Sequence, residues 1–219
     1  MVEVAASILN ISATNTIQTL YNLEAAGIQY FHIDVMDGKF VKENTTERMT
    51  KYCEYLNSVS NLPLDVHLMV EDVESYITNF LVFEPNTITF HIEVAKNKEQ
   101  IIEWMEQVKQ NHTKVGIAIK PNTAIETIKE LLPYLHQVTI MTVEPGAGGQ
   151  AIIEETIQKI QKLAQYRDQS GLDFDIEADG GIKPENAKQL KTAGADILVS
   201  GTGILQSENF QQAVKELKK

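Results

Sequence analysis

Two histidines and two aspartates in this chain stand where strand geometry would bring them together. In FHIDVMDG, His32, Asp34 and Met36 alternate with Ile33 and Val35. In LDVHLMV the alternating set is Asp65, His67 and Met69, and in DFDIEADGG it is Asp175, Glu177 and Asp179. Side chains two apart on a β-strand share a face. Three more segments repeat the pattern, with Ala5, Ser7 and Leu9, with Thr89, His91 and Glu93, and with Thr139, Met141 and Val143. If these faces converge, the interior receives charges that need partners or a metal. Two imidazoles and two carboxylates suit one divalent ion, and the expected set is His32, Asp34, His67 and Asp179. Taken singly, each residue has a plainer reading. A strand histidine can be a hydrogen-bonded core residue, and Asp37-Gly38 and Asp179-Gly180 can be turn dipeptides. Asp65, Asp175 and Glu177 can pair with neighbouring charges, and Met36, Met69 and Met141 can fill the core. The shared site is favoured because three separate strands supply it at matching depth.

Glycines form a second cluster: GAGG at 146–149, DGG at 179–181 and SGTG at 200–203. Backbone can approach an anion closely only where side chains are absent. A phosphate held this way needs no lysine or arginine.

These residues require a frame of strands. Eight short runs rich in Val, Ile, Thr and Phe recur near residues 5, 32, 67, 90, 117, 140, 177 and 198. Between them lie segments with apolar residues at three and four, among them TIQTLYNLEAAG, ESYITNFLVF, KEQIIEWMEQVKQN, AIETIKELLPYL and EETIQKIQKLAQYRD. Gly27 and Gly194 stand where helices should stop. The strand-to-strand interval averages about 27 residues, enough for a strand, a crossover helix and two loops. Eight such units predict a single (β/α)8 barrel domain over 1–219, with an open doubly wound sheet as the rival. Polar residues at alternate positions near the strand ends favour the barrel, whose active sites lie at that end and whose phosphate sites often follow strands 7 and 8.

Composition narrows the function classes. The 219 residues carry 19 basic and 30 acidic side chains, a net charge of −11. That argues against binding to nucleic acid or to an anionic membrane. A lone cysteine, Cys53, excludes an intrachain disulfide and a cysteine-based zinc site. No basic leader precedes a long apolar run, and no apolar stretch is long enough to span a bilayer, so a cytoplasmic protein is expected.

The segments ASIL (6–9), HIDVMDGKFV (32–41), DVHLMV (65–70), HIE (91–93), MTVEPGAGGQ (141–150), ADGGI (178–182) and VSGTG (199–203) resemble, in this order, the ribulose-phosphate 3-epimerase family. The resemblance runs through nearly the whole chain. It implies a (β/α)8 barrel that epimerises C3 of a ketose phosphate, D-ribulose 5-phosphate to D-xylulose 5-phosphate, through a metal-stabilised enediolate. By position, Asp34 and Asp179 would hold the metal and also carry the protons. His32 and His67 would complete the coordination, with His67 also touching substrate. Ser7 would bond near the substrate hydroxyls, and Met36, Met69 and Met141 would form a sulfur-lined cage. Gly146, Ala147, Gly148 and Gly149 would lie in a mobile loop over the ligand, and Gly180, Gly181, Gly201 and Thr202 would bind phosphate. The metal would be zinc, with manganese, iron(II) and cobalt as alternatives, and the protein a homo-oligomer.

The chain departs from the family pattern at the rim. Lys39, Lys42 and Glu43 stand where the family usually has His, Pro and Asn; Ala147 replaces a Phe; and Lys120 replaces an Asn. None of these removes an expected ligand or proton carrier. They leave open a six-carbon ketose phosphate such as D-allulose 6-phosphate, or a catalytically silent sugar-phosphate-binding homologue. A decarboxylase or synthase on a related barrel would need a catalytic lysine, for which Lys120 is the one candidate. His91, Glu93, His112 and His136 receive no role from the sequence.

Overall fold

The computed structural model describes residues 2–219. Eight parallel strands pair in sequence order and the last closes on the first. They are β1 (Glu3–Ser7), β2 (Tyr30–Met36), β3 (Leu64–Met69), β4 (Thr87–His91), β5 (Lys114–Ile119), β6 (Gln137–Met141), β7 (Asp175–Asp179) and β8 (Ile197–Ser200). The helices lie outside: α1 (Thr16–Ala25), α2 (Thr46–Val59), α3 (Val73–Leu81), α4 (Lys98–Lys109), α5 (Glu155–Ser170), α6 (Pro184–Ala193), the single turn α7 (Thr202–Leu205) and α8 (Phe210–Lys218). This is the (β/α)8 barrel expected from the spacing of strands and helices. Among the described residues no helix is long and apolar enough to cross a membrane.

Strand alternation sorts the two faces. Val4, Ala6, Ile33, Val35, Val66, Leu68, Ile88 and Phe90 join one apolar layer with Leu20, Met49, Ile77 and Leu163 of the helices. Burying each such side chain contributes about 1.5–3 kcal/mol, so this layer holds the ring of helices on the barrel. Caps set the helix ends. The side chains of Asp72, Asn97 and Asn209 accept backbone N–H groups of α3, α4 and α8 at 3.3, 2.9 and 2.9 Å. Gly27 and Gly194 take positive φ, 84° and 108°, after α1 and α6, as their positions predicted.

One crossover differs from the expectation. AIETIKELLPYL forms no α-helix but two 3-10 turns, Ile125–Thr127 and Leu132–Tyr134. Pro133 has no N–H, and its ring clashes with the preceding turn, which breaks a continuous helix. Ile125, Ile128, Leu131, Leu132 and Leu135 are still buried, so the apolar spacing reports the packing correctly and the helix type wrongly.

The opposite strand faces fill the lumen. The register sets His32 beside Asp65, Asp34 beside His67, and Met36 beside Met69. Met141 pairs with Asp179 across β6 and β7. Polar groups therefore stack in rungs that rise to a sulfur-bearing rim at the strand ends.

Candidate active site

The four expected ligands meet. One ligand atom from each of His32, Asp34, His67 and Asp179 lies within 4.8 Å of every other, and all four residues are buried. His32 Nε2 stands 3.5 Å from Asp34 Oδ1 and 3.7 Å from Asp179 Oδ2. His67 Nδ1 stands 3.7 and 3.3 Å from the same two oxygens. Among the described residues neither nitrogen has a hydrogen-bond partner, although both are fully buried. Buried polar atoms are rarely left so. Two lone pairs and two carboxylate oxygens aimed at one point are the donor set of a divalent cation site.

The second nitrogen of each imidazole is held from behind. His32 Nδ1 lies 2.6 Å from Asp65 Oδ2, and His67 Nε2 lies 3.0 Å from His91 Nε2. Burial disfavours charge on His32, but Asp34 and Asp65 outweigh it and hold its pKa well above the usual value. Burial likewise opposes the charged form of His67, and Asp179 and Asp34 raise it. Burial also works against ionised Asp34 and Asp179, yet the two imidazoles keep both carboxyls below the usual carboxylate range. Both acids are therefore carboxylates at neutral pH.

One rung deeper, Asp65 accepts from the Gln137 amide at 3.4 Å, and Thr139 donates to Glu177 Oε1 at 2.8 Å. Burial and the Asp65 charge push the Glu177 carboxyl well above its ordinary value, so it keeps its proton. Pairing low in the barrel, one of the plainer readings, is what Asp65 and Glu177 do. Asp175 is half-buried at the foot of β7, away from the quartet.

Above the quartet opens a narrow cleft. Ser7, Met36, Met69, Met141, residues 146–149, Gly180, Gly181, Gly201 and Thr202 all border it, with Asp34 and Asp179 in its floor. Met36 and Met69 pack with Leu9 beneath Phe40 and Val41. The loop 146–149 sits close on the mouth: a Cβ on Gly148 would meet Asn10 Nδ2 at 2.0 Å. Ala147 on this loop is exposed. Among the described residues no lysine or arginine borders the cleft, so its anion-binding capacity lies in backbone N–H groups. His67 is fully buried, with its Nδ1 facing Asp34 and Asp179 in the floor of the cleft.

Several rim residues have structural work. Asp37 Oδ1 accepts the N–H groups of Lys39 and Phe40, and Oδ2 accepts that of Glu71, tying the loops after β2 and β3. Lys39, Lys42 and Glu43 are exposed. Thr45, unnoticed in the altered stretch, donates to the Asp34 carbonyl at 2.6 Å and accepts the Met36 N–H at 2.9 Å. Lys120 places its Nζ 4.1 Å from the Phe40 ring centre, outside the cleft. His136 accepts the Val115 N–H, and His112, three residues past α4, takes a φ of 58°.

Sequence reasoning also missed His91 and Glu93. β4 stops at His91, and Glu93 lies on a 3-10 turn, Ile92–Val94, rather than on the strand face. Its Oε2 still reaches His91 Nδ1 at 3.0 Å, while Oε1 accepts from Lys120 N at 2.7 Å and from Thr123 Oγ1 at 2.5 Å. Burial opposes its charge, but the His91 contact and these donors lower its pKa to about 2. Burial lowers His91 to about 4, so its ring is neutral at neutral pH.

Comparison with known proteins agrees with this geometry. Residues 3–205 match the model of the ribulose-phosphate 3 epimerase family. The chain belongs to that family. Ribulose-phosphate 3-epimerase of Methanocaldococcus jannaschii is 35% identical over 218 residues, covering 100% of this chain and 90% of the relative. The enzyme of the same name from Bacillus subtilis is 33% identical over 219 residues, covering 100% and 99%. Members so named are carbohydrate epimerases, of the isomerase class. Among solved structures, KGPDC from Streptococcus mutans superposes with a TM-score of 0.73 at 12% identity, covering 100% of this chain and 96% of that one. A likeness at that identity speaks for the barrel alone.

Proposed function

We propose that this ribulose-phosphate 3-epimerase family member interconverts D-ribulose 5-phosphate and D-xylulose 5-phosphate, with Asp34 and Asp179 as its two proton carriers. The reading rests on one observation above all. Two ionised carboxylates, from β2 and β7, flank the point faced by two orphaned imidazole nitrogens, at the floor of a cleft edged by glycine loops.

The chemical problem is a weakly acidic C–H beside a ketone. A divalent cation held by His32, Asp34, His67 and Asp179 would supply Lewis acidity to the oxygens around that C–H. We propose zinc for this donor set, which also suits manganese, iron(II) and cobalt. Asp34 and Asp179 stand on strands separated by β1 and β8 around the barrel. In the proposed reaction one carboxylate removes the C3 proton and the other returns a proton from the opposite side, inverting the centre. Ser7 steadies Asp34. Met36, Met69 and Met141 line the upper wall with polarisable apolar surface and limit water. The backbone at Gly180, Gly181, Gly201 and Thr202 follows β7 and β8, where barrels commonly seat phosphate. The proposal describes one barrel domain acting in the cytoplasm as a homo-oligomer. The net charge of −11 is in keeping with a partner that is a small molecule rather than nucleic acid or membrane.

The test is proton NMR of D-ribulose 5-phosphate with metal-loaded protein in D₂O. Deuterium at C3 together with xylulose 5-phosphate is the expected result. Absence of exchange by folded, metal-bound protein rejects the five-carbon substrate. Ala147, smaller than the Phe usual in the family, then makes a six-carbon ketose phosphate the next substrate to try.

A further inference from the structure

A hydrogen-bonded line runs from the turn after β5 to the cation-facing nitrogen of His67. It begins at Glu93. The two donors at its Oε1, the Lys120 N–H and the Thr123 hydroxyl, leave Oε2 for His91 Nδ1. An ionised carboxylate has no hydrogen to give, so His91 Nδ1 must carry one. A cation on His67 Nδ1 leaves Nε2 as the only place for that ring's hydrogen, so His91 has to accept at its own Nε2. The atom 3.0 Å from it is His67 Nε2, which must supply the hydrogen of that contact. A neutral His67 with its hydrogen on Nε2 offers a lone pair at Nδ1, the atom turned toward Asp179 Oδ2 and Asp34 Oδ1. The Glu93 end and the cation end of the line call for the same placement of hydrogens.

We propose that Glu93 and His91 are positioning residues that lock His67 in the one tautomer able to offer Nδ1 to a cation. The inference rests on reading the quartet as a cation site. It assigns the two imidazoles opposite atoms: His32, held at Nδ1 by Asp65, offers Nε2, and His67 offers Nδ1. The line is anchored from outside the barrel. Lys159 of α5 donates to the carbonyls of Lys120, Pro121 and Thr123 at 3.0, 2.6 and 2.7 Å, clasping the turn that supplies both donors to Glu93. It is also shielded from water. The Phe40 ring lies 4.8 Å from that of His91, under the Lys120 ammonium, and His91 is fully buried.

The informative variant is Glu93→Gln. The two donors at the Oε1 position will keep the amide oxygen there, which turns the NH₂ toward His91 Nδ1. His91 must then accept at Nδ1 and carry its hydrogen on Nε2. That hydrogen forces His67 to accept at Nε2 and to place its own hydrogen on Nδ1, where it blocks coordination.

The experiment uses zinc-loaded full-length protein labelled with ¹⁵N-histidine, with zinc affinity measured by chelator competition. In the wild type, NMR is expected to find the His91 hydrogen on Nδ1. In Glu93→Gln it is expected on Nε2, with zinc bound roughly 10–100-fold more weakly, the range for lost support behind a metal ligand. A purely structural role for Glu93 would not move that hydrogen. Wild-type His91 protonated on Nε2, or a folded Glu93→Gln with unchanged zinc affinity, overturns the inference while the cation site stands. A wild type that binds no zinc overturns the cation-site reading and the inference with it. Should the variant fail to fold, the wild-type tautomer still decides.

Discussion

The Ser7 hydroxyl donates to Asp34 Oδ2 at 2.7 Å, leaving Oδ1 turned to His32 Nε2 and His67 Nδ1. One oxygen of this carboxylate is thus held by the protein and the other faces the site. Ser7→Ala removes a hydrogen bond to a charged group, worth about 1.5–3 kcal/mol. Epimerisation should slow by roughly 10- to 100-fold with the melting temperature little changed. Steady-state rates and a thermal melt on the same sample check this. Unchanged kcat would mean that Oδ2 needs no holder.

The two acids should separate under substitution. Asp34→Asn and Asp179→Asn should each lower interconversion by about 100- to 10,000-fold, the usual weight of a general acid or base. If the carboxylates serve opposite faces, each variant keeps exchange at C3 of one epimer only, and the two variants choose different epimers. Deuterium uptake from D₂O into each purified pentulose phosphate reads this directly. Interconversion surviving in either variant would show that one acid is enough.

Metal uptake should release protons. His32 and His67 are raised above their ordinary value in the metal-free site, so protons there occupy the place of the cation's charge. A raised histidine adds stability below its unfolded pKa of 6.5 and loses it as pH climbs through the folded value. Metal must displace those protons, so affinity increases with pH. Calorimetry of zinc binding at pH 7 in buffers of different ionisation enthalpy should show protons released as the ion binds. A count near zero would mean that the imidazoles are neutral before metal arrives.

Gly181 takes a φ of +67°, and a Cβ there would lie 2.6 Å from the Gln150 carbonyl oxygen and 3.0 Å from Ile152 N. Those are backbone atoms of the segment leading out of the loop over the cleft, so they cannot yield as a side-chain tip would. Gly181→Ala should cost about 1–3 kcal/mol of stability through strain. It should also raise KM for the sugar phosphate more than it lowers kcat. Denaturant unfolding together with Michaelis kinetics test both halves. A KM equal to wild type would remove Gly181 from the phosphate site.

The strand faces that carry His32, Asp34, His67 and Asp179 were legible because period-two alternation is local, and three strands repeated it with ionisable groups. The barrel was legible from spacing for the same reason. The His91–Glu93 line was not. Glu93 leaves the strand for a 3-10 turn, and its donors Lys120 and Thr123 arrive from the next unit, a relationship that no local pattern encodes. The crossover at 124–135 was misread because apolar spacing outweighed the one residue, Pro133, that forbids a continuous helix.

The polar rungs inside the barrel bear on how the chain closes the ring at all. Strands whose outer faces are uniformly apolar offer little to stop one from sliding along its neighbour by a pair of residues. Such a slip would leave the outward layer still greasy, yet it would part His32 from Asp65 and Glu177 from Thr139. Each orphaned buried group costs about 1–3 kcal/mol, more if charged. The hydrogen bonds beneath the site thus act as alignment marks, and misassembled barrels are penalised by the same residues that hold the imidazoles in place.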